Sequence, residues 1–506
     1  MKASGSPPSA GFLQRTLGRI FLAEDGPAML AVALFALVAL VLSIQPLIEA
    51  VQHIPLSRAY NEGWNAYHAL RVLEGTPLYP VSATEIANNY PPLSFLVVAG
   101  VASLMPGQDI VVAGRFVALA ALLGTVALLY SMLIAAGTRR WVAAAVALAF
   151  YCFVGTWARV YIAMNDPQWL AQVLSLLGAW IVWRHSESPK ALALAAAVMA
   201  IAGFAKPVVL AVPTATFIWL MIYNRRGLMA WLAGAIVTGV MGLALCVWLY
   251  GDGFVEGVFK TPRVWSTAVA AANLTGWRNI LIVLAVLIGL ALWEFFRAER
   301  RIPQDRFALW YLLAAIGWTA AMMFGDGISI NALFEPIIAS CLVVGLALER
   351  MLRSQSRLLG TLFVPHVVLA AVGMFICLGA YQRVGVALEE LGALDQRRRD
   401  TAEAVEALSQ VKGPVACEQL LLCFWADKHV PFDFFNFGQR IALDTEAREG
   451  FIQQVDGRNY AALQFIRPQS LGSFRLPQPV NDAIARNYAI AYTSSVGVVA
   501  TPAASQ

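Results

Sequence analysis

Apolar runs close to membrane-span length alternate with short polar connections along most of this chain, and that alternation fixes how the rest is read. The runs cover 28–48, 116–136, 141–155, 169–184, 190–205, 207–223, 228–250, 277–296, 307–325, 333–349 and 359–381. A helix of about 20 residues crosses a ~30 Å hydrocarbon core, so each run is read as a crossing. A further run, 91–105, is bracketed by Pro91-Pro92 and Pro106-Gly107. As a helix it reaches only ~22 Å, so it is expected to be re-entrant or to lie on the surface.

Basic residues fall in the connections Arg139-Arg140, Arg184 to Lys190, Arg225-Arg226, Arg297 to Arg306 and Arg350 to Arg357. Placing these inside, together with the segment 1–27 and its Lys2, Arg15 and Arg19, gives about eleven crossings with the N-terminus inside and the C-terminus outside. A twelfth crossing through 91–105 is the alternative, and it breaks the charge rule for some loop. The first run lacks the small-residue cleavage site of a secretory signal and is expected to remain as a helix. Beyond 382 charges become frequent and apolar runs shorten to strand length. A surface helix is expected over 401–411, strands near 414–417 and 460–466, and an aromatic-rich turn over Pro431 to Phe437. The predicted fold is an all-α polytopic membrane domain, 28–381, followed by a small α/β extracytoplasmic domain, 382–506.

Composition agrees. The chain of 506 residues is 59% hydrophobic and 13% charged, about half the charge of a soluble domain, with a mean hydropathy of +0.66. The net charge of +5 sits in the basic connections and argues against a nucleic-acid partner. Cys152, Cys246, Cys341 and Cys377 lie in apolar runs, whereas Cys417 and Cys423, six apart beyond the last run, could pair outside the cytoplasm.

With this topology the polar residues that are not topology markers gather on the external side. The loop 49–90 carries Glu62 at a helix start, followed by Trp64, Tyr67, His68 and Arg71 on one helical face. Such a stripe suits a helix lying at the interface as a roof. Glu62 is a base for an acceptor hydroxyl or an ordinary helix-start acid. Asn165-Asp166-Pro167 reads as a turn, and an acid there could orient an acceptor or meet a cation. Lys206, at the tip of a tight hairpin, suits a phosphate or snorkels outward. Arg263, near Lys260, offers a second phosphate contact. Asp326, Asn331 and Glu335 surround a late glycine-bounded loop, and Glu335 falls inside an apolar run.

The stretch EGWNAYHALRVLEGTPLYP followed by YPPL, the GFAKP hairpin and the late GDGISINALFE together resemble the GT-C superfamily of integral-membrane glycosyltransferases over most of the chain. The resemblance is to bacterial mannosyl-, arabinosyl- and aminoarabinose transferases. It implies a polyprenyl-phosphate sugar donor and attack by the hydroxyl of a glycan, glycolipid or protein acceptor, with inversion, on the external face of a bacterial-type inner membrane. By position it makes Glu62 the base or acceptor-orienting acid, where the family commonly has Asp, Asp166 the second acid and Lys206 the donor-phosphate contact. The residues themselves add Arg263 as a second phosphate contact and Tyr67, His68, Asn165, Asn331 and Glu335 as candidates around the substrate. The second loop lacks a clear DxD, so no metal ligands are assigned, and a divalent cation, magnesium or manganese, is left open. The rival class is a transporter or flippase of lipid-linked saccharides.

Overall fold

The apolar runs are helical over most of their described lengths in the computed structural model, which describes residues 26–56, 61–80, 86–105, 107–297, 302–354, 357–358, 362–467 and 471–504. The expected cytoplasmic segment, with Lys2, Arg15 and Arg19, and parts of the last two basic connections lie outside the described residues. The membrane part comprises α1 Gly26–Ala50, α2 Asn61–Glu74, α3 Leu93–Ser103, α4 Ile110–Ala135, α5 Arg140–Trp157, α6 Gln168–His185 and α7 Pro189–Ala205. It continues with α8 Ala211–Tyr223, α9 Arg225–Lys260, α10 Thr267–Arg297, α11 Pro303–Met322, α12 Phe334–Arg353 and α13 Val364–Gly392.

Seven of the described helices are long and apolar enough to cross a membrane, namely α1, α4, α5, α9, α10, α12 and α13. The short α3, α7 and α8 are apolar but fall below span length. At 11 residues α3 reaches only ~16 Å, which agrees with a non-crossing segment. The segment 251–276, which separates the apolar runs 228–250 and 277–296, is mostly helix. α9 continues to Lys260 past a break at Gly251, whose φ of 59° favours glycine, and α10 begins at Thr267. Only 261–266 connects them.

Helix α13 runs past residue 382 to Gly392 and leads into the C-terminal part. There α14 Leu394–Ser409, β1 Val415–Cys417, α15 Leu420–Trp425, α16 Phe434–Leu443, α17 Thr445–Asp456, β2 Ala462–Phe465, α18 Gln478–Asn487, β3 Tyr488–Ser494 and β4 Gly497–Pro502 surround one sheet. The strand order is β1-β2-β4-β3, with β1 and β2 parallel and the other pairs antiparallel. The aromatic segment expected to be a turn is instead the start of α16. Asp433 caps that helix through the Asn436 N–H at 2.6 Å, and Phe432, Phe434 and Phe451 enter the core.

This domain sits directly on the roof helix. Cys417 and Cys423 form a disulfide that holds α15 in a short loop, and Leu420, Leu421 and Leu422 pack with Trp64, Ala66 and Ala69 of α2. The contact is backbone to backbone at Gly63, where an added Cβ would lie 2.4 Å from the Leu421 nitrogen and 2.7 Å from the Leu420 carbonyl carbon. Further ties run from Trp425 Nε1 to Asp109 Oδ2 (2.6 Å), from Asn89 Nδ2 to Asn436 Oδ1 (3.0 Å) and from Arg397 to Glu49 (2.5 Å).

Gly63→Ala tests this docking. The obstructing atoms are backbone and cannot rotate away, so the substitution is expected to destabilise the protein by ~1–3 kcal/mol. A lowered melting temperature and faster proteolysis of the C-terminal domain would report it.

Candidate active site

The roof helix is fixed by one buried ion pair. Arg115, the sixth residue of α4, points to Glu62 on α2 and bonds it twice, Nε to Oε1 at 2.9 Å and Nη2 to Oε2 at 3.0 Å. Both side chains are 1% exposed. The remaining guanidinium hydrogens meet the carbonyls of Gln52 (2.8 Å) and Ile54 (2.7 Å) beyond the end of α1. Glu62 also accepts the N–H groups of Leu56 (3.0 Å) and Asn165 (3.2 Å). A carboxylate with four donors and no solvent contact is a joint between α1, α2, α4 and the second loop, and it leaves no free lone pair facing a substrate. Glu62 thus ties these elements together. Arg115 was not singled out in the sequence.

A second buried pair lies beside it. Lys206, at the end of α7, donates to Asp166 Oδ1 at 2.9 Å, the two side chains being 4% and 2% exposed. The hairpin is as expected, but the lysine turns inward instead of snorkelling. Asp166 Oδ1 also takes the Gln168 N–H at 2.8 Å, and Oδ2 faces Asn61 Nδ2 at 3.4 Å. The Lys206 ammonium lies 5.2 Å from the centre of the Tyr90 ring. Burial pulls the lysine pKa down, but the Asp166 carboxylate, with Tyr90 and Tyr161, outweighs it and holds the group above its ordinary range. Asn61 and Tyr90 are half-buried and form the accessible edge of this cluster. Asn61 opened the roof stretch in the sequence, yet its side chain was not among the expected site residues.

The other expected residues divide. Asn165 joins the cluster: its carbonyl accepts Asn65 Nδ2 at 2.8 Å, and its side chain lies flush on Gly114. His68 is wholly buried between Trp64, Tyr67 and Phe95, which removes it from substrate contact. Tyr67 holds Arg71, whose Nη1 donates to its hydroxyl at 2.7 Å. The aromatic stripe is thus largely covered by protein and does not lie open at the interface. Asn331 bonds Gln168 Oε1 at 3.0 Å, and Glu335 accepts the Ala211 N–H at 3.4 Å, capping α8. Arg263 belongs to another group, donating to the Asp326 carbonyl at 2.7 Å and stacking on Phe435 at 5.2 Å. Lys260 pairs with Glu256 on the exposed end of α9.

Two cavities flank these groups. A polar cleft of about 480 Å3 separates the segment around Tyr79 and Asn88 from α9 and α16, with Glu256, Lys260, Asn436 and Arg440 on its walls. Asp433 on the same wall is pushed up to about 6 by burial, against the pull of the Asn436 N–H. The cleft meets the Lys206 cluster through Tyr79, whose hydroxyl donates to the Tyr90 carbonyl at 2.8 Å. A wholly apolar cavity of about 90 Å3 lies within the bundle between Phe35, Phe150, Trp157, Leu284, Cys341 and Phe375. It shares no lining residue with the polar cluster.

Among the described residues no group of three His, Cys, Asp or Glu side chains could hold a metal ion. Asp166 is already engaged by an ammonium, which opposes a second cation on the same oxygen. The donor set present does not fit a resident divalent ion.

No protein-family model matches the sequence, and no curated protein matches it. Solved structures do. ArnT from Cupriavidus metallidurans bound to undecaprenyl phosphate superposes with a TM-score of 0.57 at 14% identity, covering 94% of this chain and 98% of that one. The same protein in the apo state gives 0.56 at 15% identity with the same coverage. An oligosaccharyltransferase from Archaeoglobus fulgidus, tethered to an acceptor peptide, gives 0.46 at 10% identity over 94% of this chain and 74% of that one. The chain thus shares its fold with the ArnT structures over nearly the whole length of both.

Two measurements probe the site's framework. Arg115→Met leaves a buried carboxylate without its counter-charge and is expected to cost ~3–5 kcal/mol. The double variant Arg115→Met, Glu62→Met should regain part of that loss, read by melting temperature. His68 gives a pH test. Burial first, then Arg71, lowers its pKa from 6.5 to about 3, so below pH 6.5 the unfolded chain binds a proton that the folded chain refuses. Stability is fully present above pH 6.5 and falls by up to ~1.4 kcal/mol per pH unit as the pH drops through this window. His68→Phe should flatten that acid limb in pH-dependent melts.

Proposed function

We propose that this chain is an inverting membrane glycosyltransferase that moves a sugar from a polyprenyl-phosphate donor to the hydroxyl of a cell-envelope acceptor at the external membrane face. The observation that carries the reading is the buried Lys206–Asp166 pair under the roof helix, in a fold shared with a protein solved with undecaprenyl phosphate bound.

In this reading Lys206 meets the donor phosphate and stabilises the charge it carries away, while Asp166 orients the acceptor hydroxyl and receives its proton. The acceptor oxygen bonds to the anomeric carbon as the bond from that carbon to the phosphate oxygen breaks. The bonding pair leaves on the phosphate, and the configuration inverts. Phosphate is a good leaving group, so positioning and charge stabilisation supply most of the rate. Asn61 and Tyr90 line the approach. Glu62 and Arg115 hold the roof in place, a positioning task that replaces general-base work. Arg263, Asn331, Glu335 and Tyr67 then serve the frame around the reaction, not the reacting atoms.

The polar cleft against α16 is the acceptor side, since its carboxylates, amide and guanidinium suit a polyhydroxylated molecule. The isoprenoid chain lies against the apolar bundle. The Cys417–Cys423 disulfide supports an oxidising, extracytoplasmic position for the C-terminal domain, as the arrangement of about eleven crossings requires.

The test is transfer by purified protein given labelled polyprenyl-phosphate sugars, pentosyl and hexosyl, with candidate acceptors. Asp166→Asn is expected to lower kcat by ~100-fold or more, and Lys206→Met by a similar ~100-fold. Melting curves establish that each variant is folded. Movement of lipid-linked saccharide across vesicles without transfer to any acceptor would favour the carrier instead.

A further inference from the structure

Beside Asp166 lies a cavity of about 10 Å3 bounded by Asn65, Ser94, Phe95, Gly114, Asn165 and Asp166. Its polar walls come from four parts of the fold: Asn65 from the roof helix α2, Ser94 from α3, Gly114 from α4, and Asn165-Asp166 from the second loop. Three of these side chains end in unpartnered atoms. Asn65 Oδ1, Ser94 Oγ and Asn165 Nδ2 make no hydrogen bond among the described residues, although the residues are only 4%, 3% and 2% exposed. Each buried polar atom left so would be costly, and three around one void share one remedy.

We propose that this cavity binds a single ordered water that joins the roof helix to the acidic loop and fixes the backbone carrying Asp166. The volume is about that needed by one water, and three polar partners are the usual number for a buried one. Water donates to Asn65 Oδ1 and accepts from Asn165 Nδ2, while the Ser94 hydroxyl takes either role. Because water does both, either orientation of the Asn165 amide is satisfied. A cation fits poorly: the void is too small for a cation with coordinated waters, and Lys206 already occupies the Asp166 oxygen. Gly114 makes the arrangement sterically feasible. An added Cβ there would lie 2.1 Å from Asn165 Oδ1 and drive that side chain into the cavity. Asn65, Ser94 and Asn165 become positioning residues that act through the water.

The first test is an experimental structure of the full chain at a resolution that shows ordered waters. One peak within ~2.7–3.2 Å of Asn65 Oδ1, Ser94 Oγ and the Asn165 amide is expected. An empty cavity, a direct Asn65–Asn165 bond closing it, or a peak with the short oxygen-only contacts of a metal ion would overturn the proposal. The second test rests on the transferase reading and separates from the first. Ser94→Ala should lose the peak and lower kcat several-fold with the donor KM unchanged, while Ser94→Thr, which keeps the hydroxyl, restores kcat. Loss of the peak with kcat unaltered would refute the positioning role and leave the transferase reading standing. Absence of transfer by the wild-type protein would refute that reading and leave the water site to be judged on the map alone.

Discussion

A guanidinium inside an apolar helix bundle must be neutralised where it lies, and the way Arg115 achieves this organises the half of the bundle that carries the roof helix. Its forked donors match the Glu62 carboxylate, and its remaining hydrogens reach the carbonyls of Gln52 and Ile54, whose segment leaves α1 without regular structure. One side chain thereby fixes the end of α1, the roof helix α2 and the start of α4. Glu62 extends the joint to the second loop through the Asn165 N–H. Removing either charge leaves the other buried and unpaired, so the pair commits the bundle to one arrangement.

The Asp166–Lys206 pair depends on that arrangement. Asp166 follows Asn165, whose backbone is held by Glu62 and Asn65, so the height of the acid is set by the roof helix. Lys206 comes from the α7–α8 hairpin, and Glu335 caps α8 just beyond it. The two pairs are each neutral, which suits a polar layer at the edge of a low-dielectric bundle. They differ in access: Glu62 is enclosed by donors, whereas Asp166 and Lys206 border the half-buried Asn61 and Tyr90. Under the proposed function, that difference separates the group that holds from the groups that meet the substrates.

The C-terminal domain acts from above. Its disulfide loop lies on Gly63 with backbone in contact, and the Asn89–Asn436 and Trp425–Asp109 bonds add ties on either side of the roof helix. A small residue at position 63 is required because the opposing atoms cannot rotate aside. The same docking explains the fate of the aromatic stripe. Trp64 and His68 look like interfacial anchors only while their cover is unknown; once α3 and α15 close over them, they become core. The buried His68 is the price of that cover, felt only in acid.

Hydropathy alone determined most of the helical segments, the shortness of α3 and the change of character near 382. Those properties come from the period and sign of residues against a bilayer, and they need no partner from elsewhere in the chain. The strands 415–417 and 462–465 were legible for the same reason, as short apolar runs between turns. β3 and β4 were not, because they carry weak alternation and gain their pairing only within the sheet. At the site, sequence identified Asp166, Asn165 and Lys206 as candidates through their polar character beside apolar runs. What a carboxylate does was decided by its partner, and partners separated by 53 residues, as Arg115 and Glu62 are, leave no local pattern. The one available signal for Arg115 was an ionisable residue at the edge of the apolar run 116–136. Whether Glu62 bears on a substrate or on a guanidinium is a question of three-dimensional proximity, and only the tertiary structure decided it.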